Sequence, residues 1–191
     1  MIQHVSHAAP RGIEHVGITV PDHDEALRFF ESAFGAIRLF SLVKPGAAPM
    51  SAAEVGAKNG LLSGLKIVSL SMLRLANGPN IEVFQIDRPR RHDATNIGDI
   101  GITHISLTID DLEGVTARFE AAGGTLLEGP YPLSGQEEGA GNRGRFGLTP
   151  WGLLIEFESF AEPIRYNDGA RAERWLPSGL SPTETDERTS E

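Results

Sequence analysis

Short apolar runs alternate along this chain with longer amphipathic stretches, and the same order recurs. IEHVGITV and ITHISLTI are brief and rich in β-branched residues, so each predicts a strand. An Asp follows each run, Asp22 and Asp111, near where a helix N-cap belongs. Apolar residues then return at helical spacing: Ala26, Leu27, Phe29, Phe30, Ala33 and Phe34 after the first strand, and Val115, Phe119 and Ala122 after the second. Gly35 and the pair Gly123–Gly124 end these helices, as left-handed C-terminal residues do. Three further strands follow each helix, at about 37–43, 66–75 and 80–87 in the first case and about 125–132, 143–149 and 152–159 in the second.

The two halves are copies of one pattern. Residues 15–37 align without a gap on residues 104–126, with His15/His104, Thr19/Thr108, Asp22/Asp111, Phe30/Phe119, Glu31/Glu120, Ala33/Ala122 and Gly35/Gly124 identical. Both final strands carry Gly, three residues, then Glu and an apolar residue: GPNIEV with Glu82 and GLLIEF with Glu156. Each copy is therefore a βαβββ module, expected over 11–88 and 101–160. The first is longer between its His and its Glu, and the extra residues fall in a Gly/Ala-rich insertion at about 44–65 with a short helix near Ala52–Lys58. Such an insertion is a lid or a tolerated surface loop, and the second is the plainer expectation. The polar linker 88–100 joins the modules, and a tail over 161–191 follows them. Residues 161–179 are expected to wrap the body through Tyr166 and Trp175, and 180–191, polar and acidic, to be disordered.

Composition narrows the chemistry. The 191 residues are 40% hydrophobic and 23% charged, ordinary for a soluble globular protein. A net charge of −9 argues against a nucleic-acid partner, because phosphate binding wants clustered Lys and Arg. The chain has no cysteine, which excludes disulfides, thiolate catalysis and Cys-type metal sites. The stretch MIQHVSHAAP lacks the apolar segment of a signal peptide, and no apolar run is long enough to cross a bilayer. A soluble, cytoplasmic protein without membrane partners is the expectation.

Four residues stand out against their surroundings. His15 and His104 hold matching places in the first strands, and Glu82 and Glu156 in the last, each inside an apolar run. A lone His or Glu there is usually a satisfied core or surface residue. Two polar residues repeated at equivalent places in both modules call for a joint explanation, because each is costly if it points inward unpaired. A first-row divalent ion supplies one: imidazole and carboxylate suit it, and two His with two Glu make a neutral site. If the modules pair about a pseudo-twofold axis, the four side chains converge on one cavity and leave two coordination positions for vicinal substrate oxygens. The other histidines, His4, His7, His23 and His92, read as solvated. Arg74, Gln85 and Arg145 could contact a substrate but read more simply as rim residues; Phe84, Phe146, Phe157 and Trp151 read as core. Glu158 shares a face with Glu156 and reads as a partner, a base or, more simply, a surface charge at the strand's end.

The series HVGITVPD, FGA, NIEVF, HISLTIDD and LLIEF resembles the vicinal-oxygen-chelate superfamily of glyoxalases, epimerases, extradiol dioxygenases and antibiotic-resistance proteins, over about residues 12–159. The resemblance implies an α+β fold, two tandem βαβββ modules forming an open, cupped mixed β-sheet with helices outside. It places His15, Glu82, His104 and Glu156 on the metal positions, with Ni, Co, Zn, Mn or Fe as the ion. The His/Glu/His/Glu set is closest to bacterial glyoxalase I; the epimerases are similar but commonly carry Gln where this chain has Glu82. The sequence Leu148-Thr149-Pro150-Trp151-Gly152 departs from the family's usual turn before the last strand, and no residues are assignable to glutathione. The implied activity is a lyase or isomerase of the glyoxalase I or epimerase type, acting on a small molecule with vicinal oxygens through a metal-stabilised enediolate. Glu156, and after it Glu82, would be the catalytic base, released from the metal. A homodimer is expected, with the modules pairing within a chain or across the dimer. Two rivals are an extradiol-type iron dioxygenase, marked by oxygen uptake, and a non-catalytic small-molecule binding protein, indifferent to loss of the four residues.

Overall fold

The computed structural model describes residues 13–89, 97–98, 101–168 and 173–178. His4, His7, His92 and the stretch 180–191 lie outside the described residues. The first module runs β1 (His15–Thr19), α1 (His23–Phe34), β2 (Ile37–Val43), β3 (Met50–Ser51), α2 (Ala52–Asn59), β4 (Lys66–Arg74) and β5 (Asn80–Ile86). The second runs β6 (His104–Thr108), α3 (Leu112–Ala121), β7 (Thr125–Leu126), β8 (Tyr131–Pro132), a 3-10 turn (Gly135–Glu137), β9 (Arg143–Leu148) and β10 (Leu154–Ser159).

Each module forms its own five-stranded mixed sheet. The orders are β1-β5-β4-β2 with β3 on β4, and β6-β10-β9-β7 with β8 on β9. In both, the first strand pairs in parallel with the last and the remaining pairs are antiparallel. The sheets are open and carry helices on their outer faces, the architecture that the resemblance implies. Among the described residues no helix is long and apolar enough to cross a membrane.

Local chemistry explains the helix bounds. The Asp22 carboxylate accepts the Glu25 N–H at 2.8 Å and the Asp111 carboxylate accepts that of Gly114 at 2.9 Å, satisfying first-turn donors. Gly35 closes α1 at φ 65°. In the second copy Ala122 caps α3 in right-handed geometry, and Gly123 turns the chain at φ 101°. Gly124 has a different use: a Cβ there would lie 2.2 Å from the Phe119 ring, so only glycine lets the chain leave across that ring.

Two expectations are refined. The strand expected over 125–132 splits into β7 and β8, because Pro130 offers no N–H to a ladder and Gly129 turns away at φ 143°. The insertion at 44–65 is ordered as β3 and α2. Its Ser51 N–H reaches the Glu54 carboxylate at 2.8 Å, and Met50, Val55 and Leu61 pack on Val43, Ile67 and Leu70.

Aromatic side chains from both helices join the modules. Phe119 of α3 lies 5.4 Å from Phe29 and 5.9 Å from Phe34 of α1, and 5.1 Å from Phe157 of β10. Trp151, from the unusual turn before β10, meets Phe29 and Phe30 at 5.3 and 5.6 Å. The core is thus shared between modules. Phe119 is fully buried, so Phe119→Ala is expected to cost about 3–5 kcal/mol of stability, read from the urea midpoint. A loss below about 1 kcal/mol would mean that the junction is not part of the cooperative unit.

Candidate metal centre

Strand alternation decides where the four candidate ligands point. In β1, Ile18 packs into the shared core, so His15, Gly17 and Thr19 belong to the opposite face. In β5, Ile81 and Val83 face the core and Glu82 lies with His15. The second module repeats this: Ile155 and Phe157 turn to the core, while His104, Ser106, Glu156 and Glu158 share the other face.

Each module brings its own His and Glu together. His15 Nε2 lies 3.6 Å from Glu82 Oε2, and His104 Nε2 lies 3.4 Å from Glu156 Oε2. Two ligands each about 2.1 Å from one ion are separated by about 3.0–3.6 Å for ordinary bond angles, so both gaps fit the edge of a shared coordination sphere. The opposite ring nitrogens are held: His15 Nδ1 meets Glu14 Oε2 at 2.5 Å, and His104 Nδ1 meets Thr103 Oγ1 at 2.9 Å. That leaves Nε2 directed at the carboxylate in each case, and the Glu14 carboxylate, an acceptor, holds the His15 proton on Nδ1 as an outer partner of a ligating imidazole does.

The pairs remain two half-sites. Among the described residues no group of three or more His, Cys, Asp or Glu side chains is placed to hold a metal ion within one chain. The convergence expected of all four side chains on one cavity does not occur inside the chain. A cleft of about 530 Å³ lies between the modules beneath residues 174–178, lined by Val16, Phe34, Ile81, Ile105, Leu107 and Leu176 among others. None of the four candidate ligands lines it.

Burial, and next the charge of Glu158, push the Glu156 carboxyl above the ordinary range, against a lowering by the Ser106 hydroxyl and then by His104. The Glu14 hydrogen bond is the main cause that raises the His15 imidazole, and Glu14 itself is lowered by His15 and Asn80. A carboxyl raised by folding contributes stability that is fully present below the ordinary carboxylate pKa and lost as pH rises through its folded value. Glu156→Gln is therefore expected to raise the melting temperature of the metal-free protein at neutral pH, with the gap closing as pH falls through the carboxylate range. A gap independent of pH would show that Glu156 titrates like a free side chain.

Other residues occupy places the sequence did not reveal. Glu158 is not a surface charge: it is 4% exposed, accepts the Ser106 hydroxyl at 3.0 Å, and pairs with Arg174 at 2.5 Å. Arg174 also pairs with Glu137, lies 5.4 Å over the Phe160 ring, and donates its N–H to the Tyr166 hydroxyl at 2.9 Å. Arg174 is thus the tail's anchor, while Trp175 is 66% exposed. His23, expected to be solvated, is buried and bonded through Nε2 to Ser71 Oγ at 2.9 Å, because the start of α1 packs on β4. Gln85 accepts the His23 N–H, and Arg74 and Arg145 donate to the carbonyls of Ala76 and Leu127. Phe146 meets the His104 ring edge-on at 5.6 Å, with Tyr131 stacked 6.5 Å beyond it, so this aromatic flanks the pair instead of filling the core. Arg174 lies outside the repeated modules, so the repeat could not disclose it as the partner of Glu158.

Residues 14–141 match a family model described as the glyoxalase/bleomycin resistance protein/dioxygenase superfamily. A 2-epi-5-epi-valiolone epimerase from Actinomyces is 24% identical over 168 residues, 87% of this chain and 89% of that protein. Among solved structures, a glyoxalase-family protein from Bacillus cereus superposes with a TM-score of 0.64 at 18% identity, covering 81% of this chain and 97% of that one. A family domain from Frankia gives 0.56 at 16% identity, over 81% and 95% of the two chains. A glyoxalase I variant from Zea mays gives 0.52 at 16% identity, over 76% of this chain and 44% of that one.

Proposed function

The chain belongs to the glyoxalase/bleomycin resistance protein/dioxygenase superfamily, and on that premise we propose that it is a divalent-metal-dependent isomerase of the epimerase type. Its substrate would be a small molecule with a carbonyl and a neighbouring oxygen. The observation that carries this reading is the duplicated His–carboxylate pair, each with Nε2 facing its Glu and Nδ1 held by an outer partner. Similarity to an epimerase along nearly the whole chain favours this branch over the glyoxalase I reaction.

His15, Glu82, His104 and Glu156 would hold the ion, and a homodimer would complete the site, His15 and Glu82 of one chain meeting His104 and Glu156 of another. When bound, the dication polarises the substrate carbonyl and acidifies the adjacent C–H. Glu156 would take that proton on a carboxylate oxygen whose proton affinity burial already raises. Glu82, from the other module, would return a proton to the carbon. Phe146 and Tyr131 beside His104 offer an apolar wall that limits water near the exchanging carbon.

Elemental analysis of protein purified without a His tag is the first test. About one dication per half-site pair is expected, absent in His15→Ala and in His104→Ala. Protein that is metal-free and takes up no added Ni, Co, Zn, Mn or Fe would remove the enzymatic reading.

A further inference from the structure

The internal repeat serves as a control on itself, because it shows which residues the fold tolerates at each place. Aligned on their metal-pair glutamates, Glu82 and Glu156, the last strands put Phe84 opposite Glu158. Aligned on their histidines, the first strands put Gly17 opposite Ser106. These four residues are two versions of one contact. In the first module Gly17 sits against the Phe84 ring, where a Cβ would meet it at an ordinary contact distance of 3.5 Å, so an aromatic lies beside Glu82. In the second, the Ser106 hydroxyl donates to Glu158 at 3.0 Å, beside Glu156. The fold therefore accepts an apolar pair here, and the second module has exchanged it for a polar one.

That exchange is costly unless something offsets it. Glu158 is 4% exposed, and a buried carboxylate needs a partner. The partner comes from outside the repeat: Arg174 reaches Glu158 at 2.5 Å and spans to Glu137 with its other nitrogen. The Arg174 side chain is kept in place by the Phe160 ring and its backbone by the Tyr166 hydroxyl. A chain of contacts thus runs from Arg174 through Glu158 to Ser106, and Ser106 is the strand partner of Glu156.

We propose that Arg174, with Glu158 and Ser106, forms a positioning relay for Glu156, so that the C-terminal segment belongs to the second half-site and sets Glu156 apart from Glu82. The inference rests on the metal-dependent reading above. The relay's members do not touch the ion. They fix the direction of the Glu156 carboxylate, as outer partners of ligands do, where loss costs about 10–100-fold in metal affinity or activity.

Co(II) binding tests this without a substrate. The parent, Arg174→Gln, Arg174→Lys and the double variant S106G/E158F would be titrated with Co(II) alone, recording affinity and the visible ligand-field spectrum. The double variant installs the combination that the first module already folds around, so circular dichroism should match the parent. Roughly a 10-fold or greater loss of Co(II) affinity with an altered spectrum is expected for Arg174→Gln and for the double variant, with partial recovery in Arg174→Lys. If the variants melt earlier yet bind Co(II) with the parent's affinity and spectrum, Arg174 is only a staple for the tail and the proposal falls. If the parent itself binds no Co(II), the metal-dependent reading fails first and takes the relay with it.

Discussion

Glu156→Gln is expected to slow exchange of the substrate's α-proton with solvent by about 10²–10⁴-fold while leaving the chain folded. The amide keeps the shape of the carboxylate and an oxygen that can still face a cation, but it cannot accept the proton. Burial and the Glu158 charge raise the proton affinity of the Glu156 carboxylate. Glu82→Gln should then weaken inversion more than exchange, since a single remaining base can remove and return the proton on one side. Incubation of a candidate hydroxyketone in deuterium oxide, followed by proton NMR, separates the two readouts. Equal and complete loss of metal from both variants would instead show that the carboxylates only hold the ion, leaving the base to be sought elsewhere.

Mixing two inactive proteins is expected to restore activity from near zero. The double variants H15A/E82A and H104A/E156A each destroy one half-site in every chain. If complete sites form between chains, a mixed dimer pairs one intact His15–Glu82 face with one intact His104–Glu156 face, and its other site is doubly broken. Random exchange of subunits makes about half the dimers mixed, so about a quarter of the parent's activity should return. Metal content of the mixture should recover in the same proportion. The separation of the two pairs within the chain motivates this expectation. No recovery after confirmed subunit exchange would mean that each chain assembles its own site by moving one module against the other.

Much of the architecture was legible in the residues. The matched run from His15 and from His104 disclosed the duplication, the Asp caps and Gly35 located the helix ends, and the repeat matched His15 with His104 and Glu82 with Glu156. All of these depend on neighbours close in sequence or on a period of two, which a linear reading can follow. The unusual Thr149-Pro150-Trp151-Gly152 turn was visible only as a departure, and its use emerged when Trp151 met Phe29 and Phe30 of the other module.

The sequence by itself determined the two-module fold, the four candidate ligands and their division into equivalent pairs, because repetition at fixed positions survives in the order of residues. Tertiary structure alone decided that the pairs stay apart within one chain, that His23 is buried against Ser71, and that Arg174 reaches back to a buried Glu158. The physical reason is range. A β-ladder or helix face is set by residues a few positions apart, whereas the docking of α1 on α3 and of the tail on β10 is set by shape and charge between segments far apart in the chain, and no period in the sequence records it.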